Sequence, residues 1–384
     1  MAGMKQPFAD RIRKIRTELR RRRIGGLVVT SPVDVGYLSG FSGDDSWLLV
    51  ASPPWLAAAS RGRQASRRGD RRTVTLITDG RFAEQADRET RGVRIVVREG
   101  ALTEALAKEV KGGPLRSLAF DPEHISVALK GRLHKALGRV RLAEAPGLVA
   151  GLRIRKDAFE QRAIRRAIRV AETAWKEFRR RIRLGMTERR LAAELDHQMR
   201  LAGADGPAFP TISAVDASAA MPHAVPGNRR LRRGSVLLVD FGARVGGYVC
   251  DLTRTLFAGR IDPSARRAYE AVRAAQAAAI GRVRPGAAFT EVDAAARAVL
   301  SEAGLAGAFG HGTGHGIGRE VHEPPALGPR AGKGTLEPGM VVTVEPGVYF
   351  RGAFGIRLED DCLVTKTGRR VLTRVEKDLE AMIL

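Results

Sequence analysis

The chain has 384 residues, of which 44% are hydrophobic, and its formal net charge is +24. This length accommodates two domains with a large buried core, and no apolar run reaches the ~18–20 residues that a membrane-spanning helix needs. No apolar stretch follows the basic N-terminus, so we expect no secretory signal, no membrane partner and a cytoplasmic location. Cys250 and Cys362 lie in apolar, strand-like segments without a Cys-x-x-Cys spacing, which predicts two reduced core thiols.

The positive charge is almost entirely arginine and is concentrated in residues 11–23, 61–72 and 153–183. Such a charge is typical of proteins that bind nucleic acid. However, the sequence contains no recognised nucleic-acid-binding motif, and aromatic residues, which stack on bases, make up only 5% of it. We therefore interpret the arginines as solvated helix faces and do not expect a nucleic-acid partner.

The N-terminal part alternates short apolar runs with helical patterns, which predicts an α/β domain over residues 1–147. Residues 143–151 are the predicted linker to a second domain, 148–384. The stretch 52–72 is rich in Pro, Gly, Ser and Arg and predicts a surface loop, whose role the sequence does not define. The predicted strands are 25–30, 46–51, 73–78, 93–97 and 117–121, and the predicted helices are 8–23, 81–91, 102–111 and 122–138.

The second domain contains one pattern twice. A helix over 157–182 and a second helix capped by Thr187 precede the run GSVLLVDFG (234–242). A helix over 264–283 and another helical segment precede GMVVTVEPG (339–347), and in both runs the acid lies six residues after the first glycine. This repetition predicts an α+β domain with an internal pseudo-two-fold duplication, in which a shared site would take acids from both halves.

Two acids lie in the first copy, in VLLVDFGARVGGYVCDLTRTLF (236–257), which predicts two strands joined by a glycine-rich turn. We expect this hairpin to bring Asp240 and Asp251 opposite one another. Because their neighbours are apolar, both carboxylates would point inward, where unpaired burial is costly and raises a carboxyl pKa. A divalent cation would resolve this conflict.

The second copy repeats the arrangement in VVTVEPGVYFRGAFGIRLEDD (341–361). Glu345 ends one apolar run and Glu359 lies within the next, across a glycine-containing turn. Arg357 precedes Glu359 by two residues and should share its strand face, where it would orient a carboxylate.

A histidine cluster, GHGTGHGIGREVHE (310–323), lies between the acids of the two copies, and His223 lies upstream of it. Neutral imidazole is a common metal ligand and an acid–base group suited to neutral pH, and the surrounding glycines allow close backbone approach. Four carboxylates with one or two imidazoles favour Mn²⁺ or another borderline first-row ion over a structural Zn²⁺. Together these residues predict a two-metal hydrolytic site.

These motifs resemble those of the dinuclear metallopeptidases with the creatinase, or pita-bread, fold, which include aminopeptidase P, prolidase and methionine aminopeptidase. The resemblance covers residues from about 150 to the end and rests on VDFGARVGGYVCDLTRT (239–255), GHGTGHGIGREVHE, VTVEPGVY (342–349) and GIRLEDD (355–361). A weaker resemblance, in VGYLSGFSGDDSWLLV (35–50) and LITDGRFAEQA (76–86), points to the N-terminal domain of aminopeptidase P and prolidase, which methionine aminopeptidases typically lack.

The resemblance implies a role for each matching residue. His223, His311 and His322 match the histidines that contact the substrate, and His223 and His322 also match catalytic positions, together with Glu345 and Arg357. His322 would stabilise the oxyanion, Glu345 would relay a proton, and Arg357 would support the ligands. The implied ligands of two divalent ions, with Mn²⁺ favoured and Co²⁺ or Zn²⁺ as alternatives, are Asp240, Asp251, His315, Glu345 and Glu359.

The implied function is that of a metal-dependent exopeptidase that hydrolyses the Xaa-Pro bond at the N-terminus of peptides by means of a metal-bridging hydroxide. The N-terminal motifs favour a Xaa-Pro aminopeptidase, and a Xaa-Pro dipeptidase (prolidase) is the alternative. A third alternative is a catalytically inactive pita-bread protein that binds partners through its basic surface. The resemblance also implies a homodimer, with small peptides or dipeptides that carry proline at the second position as substrates.

Overall fold

The computed structural model describes residues 7–52, 74–111 and 115–384. Contacts divide the chain into an N-terminal unit, which ends at Leu152, and a C-terminal unit, which begins at Arg153. The predicted loop 52–72, apart from residue 52, lies outside the described residues. No helix in the described ranges combines the length and the apolar character needed to cross a membrane.

The N-terminal unit is an α/β unit, as predicted. Three-residue 3₁₀ turns at Gly80–Phe82 and Pro122–His124 precede two of its helices. Its strands are β1 (Gly26–Val29), β2 (Trp47–Ala51), β3 (Val74–Thr78), β4 (Arg94–Val97), β5 (Ser117–Phe120) and β6 (Arg141–Glu144). The helices of this part of the chain are α1 (Pro7–Arg21), α2 (Pro32–Ser39), α3 (Ala83–Glu89), α4 (Leu102–Lys111), α5 (Val127–Leu137) and α6 (Ala150–Arg153).

The six strands form one mixed sheet in the order β4-β3-β2-β1-β5-β6, and apolar residues cover both of its faces. Alternate residues of β1 show this, because Leu27 packs in a cluster with Ile15 of α1, whereas Val28 packs in a second cluster with Leu106 of α4. The five predicted strands and four predicted helices are confirmed, the last helix as a 3₁₀ turn followed by α5.

Three elements of this part of the chain were not predicted, namely α2, β6 and the four-residue helix α6 at the end of the predicted linker. The helix α2 is short, begins with Pro32 after the capping residue Ser31 and contains Gly36, so its sequence carries little helical periodicity. The strand β6 is a half-exposed edge strand without an apolar run, and it overlaps the start of the predicted linker 143–151. The first residues of the predicted linker are therefore part of the sheet.

The C-terminal unit repeats one order of elements, two helices followed by six strands, and ends with one further strand. Short 3₁₀ turns lie at Asp216–Ser218, Ala306–Ala308 and Leu379–Met382. The first copy contains α7 (Ala158–Arg181), α8 (Glu188–Leu201), β7 (Gly206–Pro207), β8 (Ile212–Val215), β9 (Val236–Phe241), β10 (Ala243–Val245), β11 (Tyr248–Val249) and β12 (Leu252–Phe257). The second copy contains α9 (Pro263–Arg282), α10 (Phe289–Glu302), β13 (Gly314–Gly316), β14 (Glu323–Leu327), β15 (Val341–Val344), β16 (Gly347–Phe350), β17 (Phe354–Arg357) and β18 (Asp360–Val364), and β19 (Arg369–Val371) follows it.

The strands of the two copies lie in separate sheets. In the first copy they are ordered β12-β9-β8 and β11-β10-β7, and in the second β14-β13-β15-β18-β19 and β16-β17. Helix α7 begins with a capping box formed by Asp157 and Glu160, and Thr187 caps α8 as predicted. Apolar side chains bury the helices against the sheets, as where Trp175 of α7 stacks on Phe241 of β9 with ring centroids 5.1 Å apart. This core holds the ends of β9 and β15, where the acids lie.

Candidate metal centre and cavity

The first hairpin places Asp240 in β9 and Asp251 immediately before β12. Asp240 pairs with Thr253, so Asp251 lies two residues nearer the turn than the residue opposite Asp240. The expectation that the two aspartates lie directly opposite one another is therefore wrong. The reason is the turn, which is centred on Gly246 and Gly247, both with positive φ, and is therefore nearer to Asp251 than to Asp240. Since the shift is two residues, both carboxylates still point to the same face of the sheet.

The second hairpin brings Glu345 and Glu359 opposite one another. The pairs Val344–Asp360 and Gly347–Arg357 flank them, and the register between these two pairs is continuous. The Glu345 backbone N–H donates to the carbonyl of Thr313, which ties this acid to the histidine-containing segment.

His315 lies in β13 between two glycines that the packing requires. A Cβ at Gly314 would lie 2.1 Å from the carbonyl oxygen of Thr343, and a Cβ at Gly316 would lie 2.2 Å from that of Pro324. The His315 ring is held at Nδ1, which lies 3.1 Å from the carbonyl oxygen of Gly316 and must therefore carry the proton. Its Nε2 then faces the carboxylates, 3.1 Å from Glu345 Oε1 and 3.8 Å from Asp251 Oδ2.

Three of the predicted ligands each have one buried carboxylate oxygen with no hydrogen-bond donor within the described part of the chain, namely Asp240 Oδ1, Asp251 Oδ1 and Glu359 Oε1. Ligand atoms of Asp251, His315 and Glu359 all lie within 4.8 Å of one another. An Nε2 lone pair and several carboxylate oxygens repel one another unless a proton or a cation lies between them. The residues therefore fit a bound divalent cation.

The electrostatics of the acids agree with this geometry. Burial raises the pKa of Asp251 well above its usual value, and the neighbouring charges of Glu359 and Asp240 raise it further. Burial likewise raises the pKa of Glu359. Burial would also raise the pKa of Glu345, but the hydrogen bond and charge of His315, together with the charges of Arg357 and His311, outweigh burial and lower this pKa overall. So concentrated a set of buried acids is stable as carboxylates only if positive charge is supplied.

Arg357 supplies part of that charge, and the carboxylate that it contacts is that of Asp240. Its Nη2 donates to Asp240 Oδ2 at 2.5 Å and its Nε donates to Thr253 Oγ1 at 3.1 Å, rather than to Glu359. Thr253 in turn donates to Glu359 Oε2 at 2.7 Å. Arg357 is thus placed to orient one carboxylate directly and the other through a threonine.

Tyr349 connects Arg357 to His311. Arg357 Nη1 donates to the Tyr349 hydroxyl at 2.8 Å, and that hydroxyl lies 2.8 Å from His311 Nε2. His311 Nδ1 lies 2.8 Å from the carbonyl oxygen of Gly312, so Nδ1 carries the proton and Nε2 accepts the tyrosine O–H. Burial lowers the pKa of His311, which agrees with a neutral ring.

The acids line a cavity of about 790 Å³, whose lining also includes His223, His311 and His322. The His322 ring packs edge-on against that of His315, with centroids 4.3 Å apart, and burial lowers the pKa of His322. His223 is exposed at the cavity surface. Apolar side chains form part of the wall, among them Phe209, Pro210, Ile212, Val225 and Val321.

The structure thus brings all nine predicted site residues, Arg357 among them, to one cavity. Sequence reasoning missed Thr253 and Tyr349, which hold the charged groups in place. Neither has a sequence signal of its own, because an isolated hydroxyl in a strand becomes informative only when the cross-strand register is known. Cys250 and Cys362 are buried, free thiols, as predicted.

Acids from the two repeated hairpins and a set of histidines line one cavity, an arrangement typical of a metal-dependent peptidase. Comparison with known proteins identifies the family. Residues 162–366 match Metallopeptidase family M24, and residues 11–155 match the Creatinase/Prolidase N-terminal domain. The chain therefore belongs to metallopeptidase family M24, and the predicted family, fold class and enzyme class are confirmed. The family implies that the protein binds divalent metal ions.

Individual relatives cover nearly the whole chain. The uncharacterized peptidase YqhT of Bacillus subtilis is 31% identical over 96% of this chain and 99% of its own length. The structure of the Xaa-Pro dipeptidase from Bacillus anthracis is similar with a TM-score of 0.89 and 32% identity, covering 98% of this chain and all of that one. The X-Pro aminopeptidase from Thermotoga maritima has a TM-score of 0.85 and 32% identity, covering 96% of this chain and all of that one.

Proposed function

We propose that the protein is a Xaa-Pro peptidase that hydrolyses the amide bond between the first residue of a peptide and a following proline. The observation that carries this proposal is a group of buried carboxylate oxygens for which the described residues provide no donor, next to the His315 ring in the cavity. The similarity to a Xaa-Pro dipeptidase and to an X-Pro aminopeptidase supports the choice of bond.

Five residues would hold two divalent ions in this proposal, namely Asp240, Asp251, His315, Glu345 and Glu359. Because four of these ligands are carboxylates, Mn²⁺ is favoured, with Co²⁺ or Zn²⁺ as alternatives. When bound, the ions supply an activated water near neutral pH and positive charge for the developing oxyanion.

The protein's own groups would carry the remaining steps. Glu345, whose pKa is lowered, would accept a proton and deliver it to the leaving nitrogen. His322, a ring with a lowered pKa beside His315, would donate a hydrogen bond to the carbonyl oxygen of the scissile bond. His223 would line the pocket that accepts proline, and the His311–Tyr349–Arg357 chain would keep Asp240 oriented.

The direct test is to remove ligands. Glu345→Ala and His315→Ala should each abolish cleavage of a Xaa-Pro peptide while the far-UV circular dichroism spectrum stays unchanged. His197→Ala is the matched control, because His197 is an exposed histidine on α8 that does not line the cavity. A double variant that still cleaves the peptide would contradict the proposal. Purified protein that binds no divalent ion would instead favour an inactive binding protein.

Within this class we propose an aminopeptidase that accepts peptides longer than two residues. One observation favours the alternative, a dipeptidase. The cationic cavity residues Arg297 and Arg357 are committed to acids of the protein, whereas Arg330 has no ion pair within the described residues and could bind the free carboxylate of a dipeptide.

Assays of a Xaa-Pro dipeptide and a Xaa-Pro pentapeptide separate these two functions. An aminopeptidase cleaves the pentapeptide, and Arg330→Met changes its KM little. A dipeptidase cleaves only the dipeptide, and the same substitution should raise KM about tenfold or more, because a charge-assisted hydrogen bond is lost. The cytoplasmic location and the homodimer remain predictions from the sequence.

A further inference from the structure

Arg254 is an arginine of β12 that is 0% exposed, and no step proposed above uses it. Each of its five N–H groups donates a hydrogen bond, at distances from 2.6 to 3.2 Å. A guanidinium has five donors, so this side chain is fully satisfied in the interior. The acceptors are the carbonyl oxygens of Thr253, Glu359, Val375 and Glu376 and the Oδ1 of Asp360.

Asp360, 1% exposed, compensates the buried charge of Arg254. Its Oδ1 lies 2.8 Å from Arg254 Nη2 and accepts a hydrogen bond from Thr373 Oγ1 at 2.6 Å. Its Oδ2 accepts a hydrogen bond from Lys377 Nζ. Burial would raise the pKa of Asp360, but the charges of Arg254 and Lys377 outweigh it and keep the residue a carboxylate.

The position of this pair matters because the proposed ligands come from two sheets that share no ladder. Asp240 lies in β9 and Asp251 immediately precedes β12 of one sheet, whereas Glu345 and Glu359 flank β15 and β18 of the other sheet. A bound ion would need ligands from both sheets within a few tenths of an ångström of their places.

Arg254 joins the two sheets at the ligands themselves. Its Nη1 donates both to the carbonyl of Thr253, in β12, and to the carbonyl of Glu359, next to β18. At the same place the Glu359 N–H donates to the Thr253 carbonyl at 3.2 Å, and Thr253 Oγ1 donates to the Glu359 carboxylate. The guanidinium thus fixes the backbone from which one carboxylate projects and the threonine that orients it.

We propose that Arg254 and Asp360 are a positioning pair, which holds the two sheets at the separation that cation binding requires and thereby sets metal affinity. This inference rests on the metal site proposed above. A buried ion pair is not needed for stability as such, because apolar residues of similar size can replace one without loss of stability. Affinity for the ion and stability of the fold should therefore respond differently to substitution of the pair.

The test measures Mn²⁺ binding to the chelator-stripped full-length protein, by electron paramagnetic resonance of free Mn²⁺, together with thermal unfolding without metal. Arg254→Met and Asp360→Asn should each weaken Mn²⁺ binding about tenfold or more, the usual result of removing support behind a ligand. Leu256→Ala is the matched control, because it truncates a buried core residue of the same strand. It should lower the unfolding temperature and leave the Mn²⁺ dissociation constant within about twofold of wild type.

The double variant Arg254→Met/Asp360→Leu separates positioning from stability. We expect it to unfold at a higher temperature than either single variant and still to bind Mn²⁺ weakly. The inference is overturned if affinity recovers with stability, if both single variants bind Mn²⁺ like wild type, or if Leu256→Ala weakens binding equally. If Arg254→Met does not fold, the same measurements on Asp360→Asn and on Lys377→Met, which removes the half-buried partner of Asp360, test the inference instead. Wild-type protein that binds no Mn²⁺ refutes the metal site itself, whereas Mn²⁺ binding without Xaa-Pro cleavage refutes only the proposed substrate.

Discussion

The β9–β12 hairpin and the β15–β18 hairpin begin with the same signal, an acid six residues after a glycine, and then differ across the strand pair. Asp240 of the first hairpin pairs with Thr253. Glu345 of the second hairpin lies opposite Glu359, as the flanking pairs require. Thr253 therefore occupies the place of Glu359, and the two residues bond to each other through Thr253 Oγ1.

The second acid of the first hairpin has a basic counterpart in the second. Asp251 lies opposite Gly242 if the register of β9 and β12 continues, and Arg357 pairs with Gly347. The position that supplies an acid in one copy thus supplies a guanidinium in the other, and this guanidinium holds Asp240. Duplication supplies the scaffold twice, and the differences between the copies supply the complementary charges.

The largest effect should follow from neutralising one acid in each hairpin. Asp251→Asn and Glu359→Gln keep the side-chain shape but remove a proposed ligand. Each should therefore lower the rate of peptide cleavage on the order of 10³-fold or more relative to wild type, to the detection limit. Removal of a buried carboxylate with a raised pKa should at the same time stabilise the metal-free protein. Assays and urea unfolding in chelator measure both effects. An active variant, or one less stable than wild type in chelator, would contradict the assignment.

The two glycines at equivalent places should differ when replaced. A Cβ at Gly242 would lie 2.0 Å from the Cys250 carbonyl oxygen, part of the backbone, so Gly242→Ala should cost about 3 kcal/mol or more. A Cβ at Gly347 would lie 2.6 Å from the Tyr349 hydroxyl, which can move, so Gly347→Ala should cost about 1–3 kcal/mol.

The loss of activity should be larger for Gly347→Ala than for Gly242→Ala when both variants are compared in their folded state. Displacement of Tyr349 breaks its bonds with His311 and Arg357, so Gly347→Ala should lower kcat/KM about tenfold at a temperature where both variants are folded. Urea unfolding and Xaa-Pro peptide assays on the two variants are the measurements. Equal stability losses would show that the two turns tolerate a side chain equally, contrary to the geometry.

The acids could be predicted from the sequence because each one ends or interrupts an apolar β run, which is a local signal. The offset between Asp240 and Asp251 could not, because it depends on where the turn is centred, and three nearby glycines permit several centres. Thr253, Arg254 and Tyr349 could not be predicted either. Their roles arise from contacts between strands distant in sequence, such as the bond from Arg254 to the Glu359 carbonyl.

An effect of pH is expected from a difference one pair further along the hairpins, where Asp361 corresponds to Thr255. Burial raises the pKa of Asp361 to about 8, and its Oδ2 accepts the Asp251 N–H. An unfolded aspartate titrates near pH 4, so between about pH 4 and 8 the folded metal-free protein binds more protons than the unfolded chain. Its stability should therefore fall as pH rises, by about 1.4 kcal/mol per pH unit for each such group.

Asp361→Asn makes the second hairpin resemble the first at this pair and isolates the contribution of one carboxyl. Urea unfolding in chelator between pH 5 and 8 should show a negative slope for wild type and a slope shallower by up to about 1.4 kcal/mol per pH unit for the variant. With Mn²⁺ present the wild-type slope should become positive, because ion binding requires deprotonated ligands and strengthens as pH rises. If the free energy of unfolding of wild type in chelator does not fall as pH rises, basic side chains of the protein already balance these acids. The second hairpin would then carry no more uncompensated charge than the first.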